Sequence, residues 1–152
     1  MKPVVVWLGH AGFRLEGSAI VYIDPYKLRE HNPPKADFIL VTHSHFDHYS
    51  EADIKKIAKD DTVIISTPDV VEQYKGKKME IRPGEELSVG PIKVKAVPAY
   101  NITKSFHQKK SGWVGFVLTL DGVTFYHAGD TDAVEEMKEL KVDVALLPVG
   151  GT

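Results

Sequence analysis

The chain has 152 residues and a formal net charge of −2, with 43% hydrophobic and 26% charged residues. This size and balance fit one globular domain and exclude a disordered tail, a collagen-like repeat and a coiled coil. The near-balance of 19 basic and 21 acidic side chains argues against non-specific nucleic-acid binding, although a local basic groove is compatible with it. Cysteine is absent, so any metal must be held by His, Asp or Glu. No stretch approaches the roughly 20 apolar residues of a membrane span. The apolar run Val4–Leu8 is too short for a signal-peptide core, and a cytoplasmic protein is expected.

In chain order the sequence reads mostly as short strands. Val4–Leu8 has the pattern of a buried strand, Phe13–Leu15 follows, Gly17 marks a turn, and Ala19–Ile23 is closed by Asp24-Pro25. Glu30–Lys35, with two prolines, reads as loop. Phe38–Thr42 is a continuous apolar and β-branched run, as in a strand covered on both faces. Ser50-Glu51-Ala52-Asp53 resembles a capping box for a helix burying Ile54, Ile57 and Ala58. Thr62–Ser66 is a strand, and Pro68-Asp69 opens a helix reaching about Tyr74. Met79–Arg82, Glu86–Val89 and Ile92–Val97 alternate apolar and polar residues around Gly84 and Gly90, which predicts one antiparallel meander. Trp113–Leu120 and Val123–Tyr126 flank Asp121-Gly122, a preferred hairpin turn. A helix over Asp132–Leu140 and a buried strand over Val142–Val149 complete the pattern. The expected architecture is α+β, with stacked sheets and helices outside them.

Three of the seven histidines crowd into His43-Ser44-His45-Phe46-Asp47-His48, directly after the run Phe38–Thr42. Ligands of open α/β sheets bind outside the carboxyl ends of strands. His43 and His45 are two apart, so in extended backbone they project to one side and can share a cation. Asp47 and His48 follow where the chain should turn, within reach of a second cation. Imidazole with carboxylate suits zinc, and also iron or manganese. A polar loop with solvated histidines is the plain alternative, and the density of the cluster argues against it.

His43-Ser44-His45-Phe46-Asp47-His48 resembles the HxHxDH signature of the metallo-β-lactamase superfamily. Trp7-Leu8-Gly9-His10-Ala11 and Ile23-Asp24-Pro25-Tyr26 are similar to its ascorbate-6-phosphate-lactonase-like branch, which holds many uncharacterised metal-dependent hydrolases. Tyr126-His127-Ala128-Gly129-Asp130-Thr131 resembles the later metal motif, and Leu146–Gly151 the strand after it. The resemblance implies a four-layer αββα sandwich and a site for two divalent cations, zinc favoured. His43 and His45 would hold the first, Asp47 and His48 the second, and Asp130 would bridge. By itself, Asp130 reads rather as a cap for the helix Asp132–Leu140; beside the histidine cluster the ligand is favoured. Asp47 or Asp130 would orient a metal-activated hydroxide and take a proton, on an ester, lactone or phosphodiester of a small molecule.

Two departures from the family pattern stand out. Where the family has a further histidine, this chain has Asn101, and His107 is taken as the substitute ligand, with a solvated loop histidine as the alternative. Asn101 then becomes a group beside the substrate or behind a ligand. The family fold also continues past the Pro148-Val149-Gly150-Gly151 strand to a last histidine. Residues 1–152 are therefore expected to be the N-terminal two-thirds of one domain, lacking its C-terminal third. A complementary C-terminal segment or a second copy would cover the final strand. The competing expectation is a fragment that binds metal but is inactive until so completed. His10 lies near the metal pocket in the family and otherwise reads as a turn histidine. Asp24 would orient a ligand imidazole or cap a turn. His127 would stand behind a ligand, face substrate or simply end a strand.

Overall fold

The computed structural model describes residues 3–9, 12–25, 33–42, 51–82, 84–98, 114–127 and 144–146. Six strands form a first sheet in sequence order: β1 (Val4–Gly9), β2 (Gly12–Glu16), β3 (Ile20–Ile23), β4 (Phe38–Val41), β5 (Val63–Ser66) and β6 (Lys77–Glu80). The second sheet has five, numbered on from β6 along the chain: β7 (Glu86–Val89), β8 (Ile92–Pro98), β9 (Val114–Leu120), β10 (Val123–His127) and β11 (Val144–Leu146), with β11 and β7 at its edges. Helix α1 (Glu51–Ile57) lies between β4 and β5, and α2 (Pro68–Gln73) between β5 and β6.

These crossovers are required because β3, β4, β5 and β6 pair in parallel, and parallel neighbours cannot be joined by a tight turn. The alternation of side chains along each strand then sorts two cores. Leu15, Val21, Ile23, Phe38, Leu40 and Ile65 of the first sheet meet Val94, Phe116, Leu118 and Phe125 of the second. On the outer face Tyr22, Ile39, Val41 and Ile64 pack with Ile54 and Ile57 of α1 and Val70 of α2. All four residues of β4 are buried, as its unbroken apolar run predicts. Helix, sheet, sheet is the layering seen among the described residues. The expected helix over 132–140, which would form the fourth layer, lies outside them.

The meander differs from the sequence expectation. Its first segment, read as Met79–Arg82, is β6, which pairs in parallel with β5 in the first sheet; only β7 to β10 form an antiparallel meander. Alternation marks a strand but not its sheet. The α2 crossover returns the chain beside β5, and the link before β7 carries it to the other sheet. The hairpin expectation holds: Asp121 (φ 51°) and Gly122 (φ 79°) both take positive φ, as a type I′ turn demands.

The end of the sandwich formed by this turn is tied by polar contacts. The Asp121 carboxylate accepts the Ser18 N–H at 2.8 Å and the Ser18 hydroxyl, joining the β9–β10 turn to the β2–β3 turn. A Cβ on Gly17 would stand 2.2 Å from Asp121 Oδ2, so the approach needs a glycine there. These hydrogen bonds hold the Asp121 carboxyl below its ordinary range. Nearby, Asp37 accepts the Ile20 N–H and the Lys59 ammonium, each at 2.8 Å. Burial pushes its pKa up, but the Lys59 and Ile20 hydrogen bonds and the Lys59 charge outweigh that, and the net shift is downward.

Two outcomes are expected. Depressed carboxyl pKa values stabilise the fold in full above the ordinary carboxylate range, and that stability is lost as pH falls through the folded values. The urea midpoint should therefore drop below about pH 4, and drop less steeply in Asp121→Asn. Phe116→Ala, which empties a fully buried site between the sheets, should cost about 3–5 kcal/mol in chemical denaturation.

Candidate metal centre

Strand direction decides where the candidate ligands attach. β3, β4 and β5 run together and end at Ile23, Val41 and Ser66. β2 runs against β3, so the β1–β2 turn, which contains His10, belongs to the same end. In the second sheet β8 and β10 both run antiparallel to β9, so Pro98, Val114 and His127 lie at one end together. β11 runs with β10, setting Leu146 beside His127. The two ends coincide, because the Phe13 ring of β2 meets the His127 ring of β10 edge-on, with centroids 5.6 Å apart and planes at 80°. The opposite end is fixed independently by the Ser18–Asp121 contact.

One rim of the sandwich is therefore where the chain leaves β1, β3, β4, β8, β10 and β11. His43–His48 follows Thr42 directly. Asn101 and His107 lie between β8 and β9, and Asp130 comes three residues after His127. All six candidate ligands (His43, His45, Asp47, His48, His107 and Asp130) lie outside the described residues, as do His10 and Asn101. Among the described residues no three His, Asp or Glu side chains converge.

Asp24 and His127 are described, and both are built into the rim. Asp24 follows β3 with φ 49°, a left-handed conformation that aspartate tolerates better than most residues. Its N–H donates to the Leu40 carbonyl at 2.9 Å. Its carboxylate is fully buried and accepts the Thr42 N–H at 2.8 Å and the Thr42 hydroxyl at 2.7 Å. A buried carboxylate is tolerable only with such partners, and here they clamp the residue directly before His43. The Ser66 hydroxyl, buried at the end of β5, donates to the Val41 carbonyl at 2.6 Å, so the last turn of β4 is gripped from both neighbouring strands. His127 is buried on the inner face of β10 against Phe13.

Sequence reasoning singled out Asp24 and His127 but missed Thr42, Ser66 and Phe13, which hold the rim. The signal for Thr42 was its hydroxyl directly before the histidine cluster. Its link to Asp24 spans 18 residues of sequence and only the sheet pairing reveals it.

A protein from Parabacteroides distasonis, assigned to the metal-dependent hydrolases, superposes with a TM-score of 0.87 at 34% identity, over 99% of this chain and 71% of that one. Igni18, a metallo hydrolase from Ignicoccus hospitalis, shares the fold at 21% identity, with a TM-score of 0.76 over 100% of this chain and 72% of that one. The paired sheets are thus those of the metallo-β-lactamase fold. Residues 4–152 match the family model described as the beta-lactamase superfamily domain. A UPF0173 metal-dependent hydrolase from Archaeoglobus fulgidus is 34% identical over 96% of this chain and 71% of the relative, and one from Pyrococcus furiosus is 35% identical over 97% and 72%. The chain belongs to the beta-lactamase superfamily and, within it, to the UPF0173 metal-dependent hydrolases.

Removing the clamp should be measurable. Asp24→Ala removes the carboxylate that accepts both the Thr42 N–H and the Thr42 hydroxyl and should lower stability by about 2–4 kcal/mol. Asp24→Asn keeps one acceptor oxygen and should cost less. Equal urea midpoints for wild type and Asp24→Ala would contradict the clamp.

Proposed function

We propose that the chain is a metal-dependent hydrolase that holds two divalent cations, zinc favoured, over this rim and cleaves an ester, lactone or phosphodiester of a small molecule in the cytoplasm. The observation that carries the reading is topological. Strand direction attaches every candidate ligand segment to one end of the sandwich, although His43 and Asp130 are far apart in sequence. The donor set fits the cations: imidazole and carboxylate without thiolate suit zinc, manganese or iron. His43 and His45 would hold one cation with His107, Asp47 and His48 the other, with Asp130 shared. When bound, such cations lower the pKa of water and polarise a carbonyl or phosphoryl oxygen.

The chain's own groups do the rest. Asp47 and Asp130 are the carboxylates available to orient a water and accept its proton. Asp24, through Thr42, sets where β4 ends and so where His43 begins. His127 is buried at this rim, His10 follows β1 and Asn101 follows β8 in sequence, and all three would serve to orient ligands or meet substrate.

A second reading is favoured by a specific feature, the exposed inter-sheet residues of β1. β1 and β11 are edge strands on the same side, opposite the β6–β7 link. Trp7 and Val5 pair with Phe13 and Leu15 and so share the inter-sheet face, yet they are 56% and 38% exposed. Apolar surface of this kind marks an interface. In this reading residues 1–152 are the N-terminal part of the domain, and a complementary C-terminal segment or a second copy covers β1 and β11. The chain alone then binds metal without turnover.

Metal analysis of the purified chain after zinc or manganese loading tests the main reading. Bound metal is expected, and His43→Ala with His45→Ala should reduce it at least tenfold. A chain that retains no metal contradicts it. Turnover of a lactone or phosphodiester by the pure 152-residue chain decides between the complete and the inactive forms, and chelation should abolish that turnover.

A further inference from the structure

On the outer face of the first sheet, α1 and the end of α2 enclose a groove of about 260 Å³ lined by Ile54, Lys55, Gln73, Tyr74, Lys75 and Gly76. It lies away from the rim of candidate ligands. Lys77, directly after this segment, pairs with Val63, the first residue of β5, so Tyr74–Gly76 sit toward the opposite end of the sheet.

The groove joins two chemistries. Ile54 is buried and Tyr74 half-buried, which gives it an apolar floor. A Cβ on Gly76 would stand 2.7 Å from the Tyr74 ring, so the ring lies against the glycine backbone and is held there. Lys55 and Lys75 are exposed, and neither has a carboxylate within ion-pair distance among the described side chains, which do not include Glu51 and Asp69. The acid on the same helix turn is taken: Asp53 faces Lys56 at 3.6 Å. Lys78 adds a further ammonium, donating to the Tyr74 carbonyl at 2.6 Å, and Lys77 flanks it on an edge strand. Glu72 is an exposed acid of α2. A protein with net charge −2 thus carries a locally cationic groove with an aromatic floor.

We propose that this groove docks an acidic segment of a partner protein through one large apolar side chain. Its volume is below the roughly 300 Å³ at which drug-sized ligand pockets begin, which suits a single anchor side chain. The lysines complement carboxylates flanking that anchor. Unlike-charge complementarity of this kind raises association rates and selects partners, and is screened by salt.

The test is fluorescence anisotropy with a labelled peptide in which glutamates flank a single phenylalanine. Binding is expected to saturate and to weaken at least tenfold in the double variant Lys55→Glu with Lys75→Glu. The same peptide with alanine replacing phenylalanine should also bind at least tenfold more weakly. Both lysines are exposed, so the urea midpoint and metal content of the double variant should match those of the wild type. Absence of binding, equal affinity for the double variant, or equal affinity for the alanine peptide overturns the proposal. Displacement of the bound peptide by phosphatidylglycerol vesicles also overturns it, in favour of a membrane surface.

Discussion

A site shared by two sheets exists only while the sheets are held in one relation to each other. In this chain that relation rests on the apolar layer between them, with Leu15, Val21, Leu40 and Ile65 on one side and Val94, Phe116, Leu118 and Phe125 on the other. Each fully buried aromatic or aliphatic side chain contributes about 1.5–3 kcal/mol. The layer is non-directional, so it cannot set alignment by itself. Alignment comes from both ends: the Phe13–His127 edge contact at the rim and the Ser18–Asp121 hydrogen bonds at the turns. The ends of β4 in the first sheet and of β8 and β10 in the second, which the candidate ligand segments follow in sequence, are held at one end by this pinning.

The rim depends on a second, more local constraint. Parallel strands all finish at the same end, and the last residues of a finishing strand lose their ladder partners. Asp24 and Ser66 replace those partners for β4, taking the Thr42 donors and serving the Val41 carbonyl. The direction of the strands brings the ends of β3, β4 and β5 to one rim, and the buried polar clamp holds Thr42 at the end of β4. Among the described residues β1 and β11 are edge strands, and Trp7 and Val5 of β1 present inter-sheet surface to solvent.

Much of this was legible in the sequence. The unbroken run Phe38–Thr42 announced a strand buried on both faces, and Asp121-Gly122 announced a hairpin; both are local signals that tertiary structure had no reason to override. The histidine cluster and the segment around Asp130 gave the family. What the sequence withheld is relational. Residues 79–80 looked like part of a meander because alternation carries no record of which sheet a strand joins. The Asp24–Thr42 clamp joins residues on different strands, and the cationic groove joins one helix to the end of another; neither has a one-dimensional signature.

The proposed gathering of metal ligands at one rim of the sandwich is tested most directly by anomalous diffraction at the zinc edge from zinc-loaded crystals. Two peaks roughly 3.5–4 Å apart are predicted beyond the ends of β4 and β10, within bonding distance of His43, His45, Asp47, His48 and Asp130. A zinc peak held elsewhere on the protein, with none at the rim, would contradict this assignment.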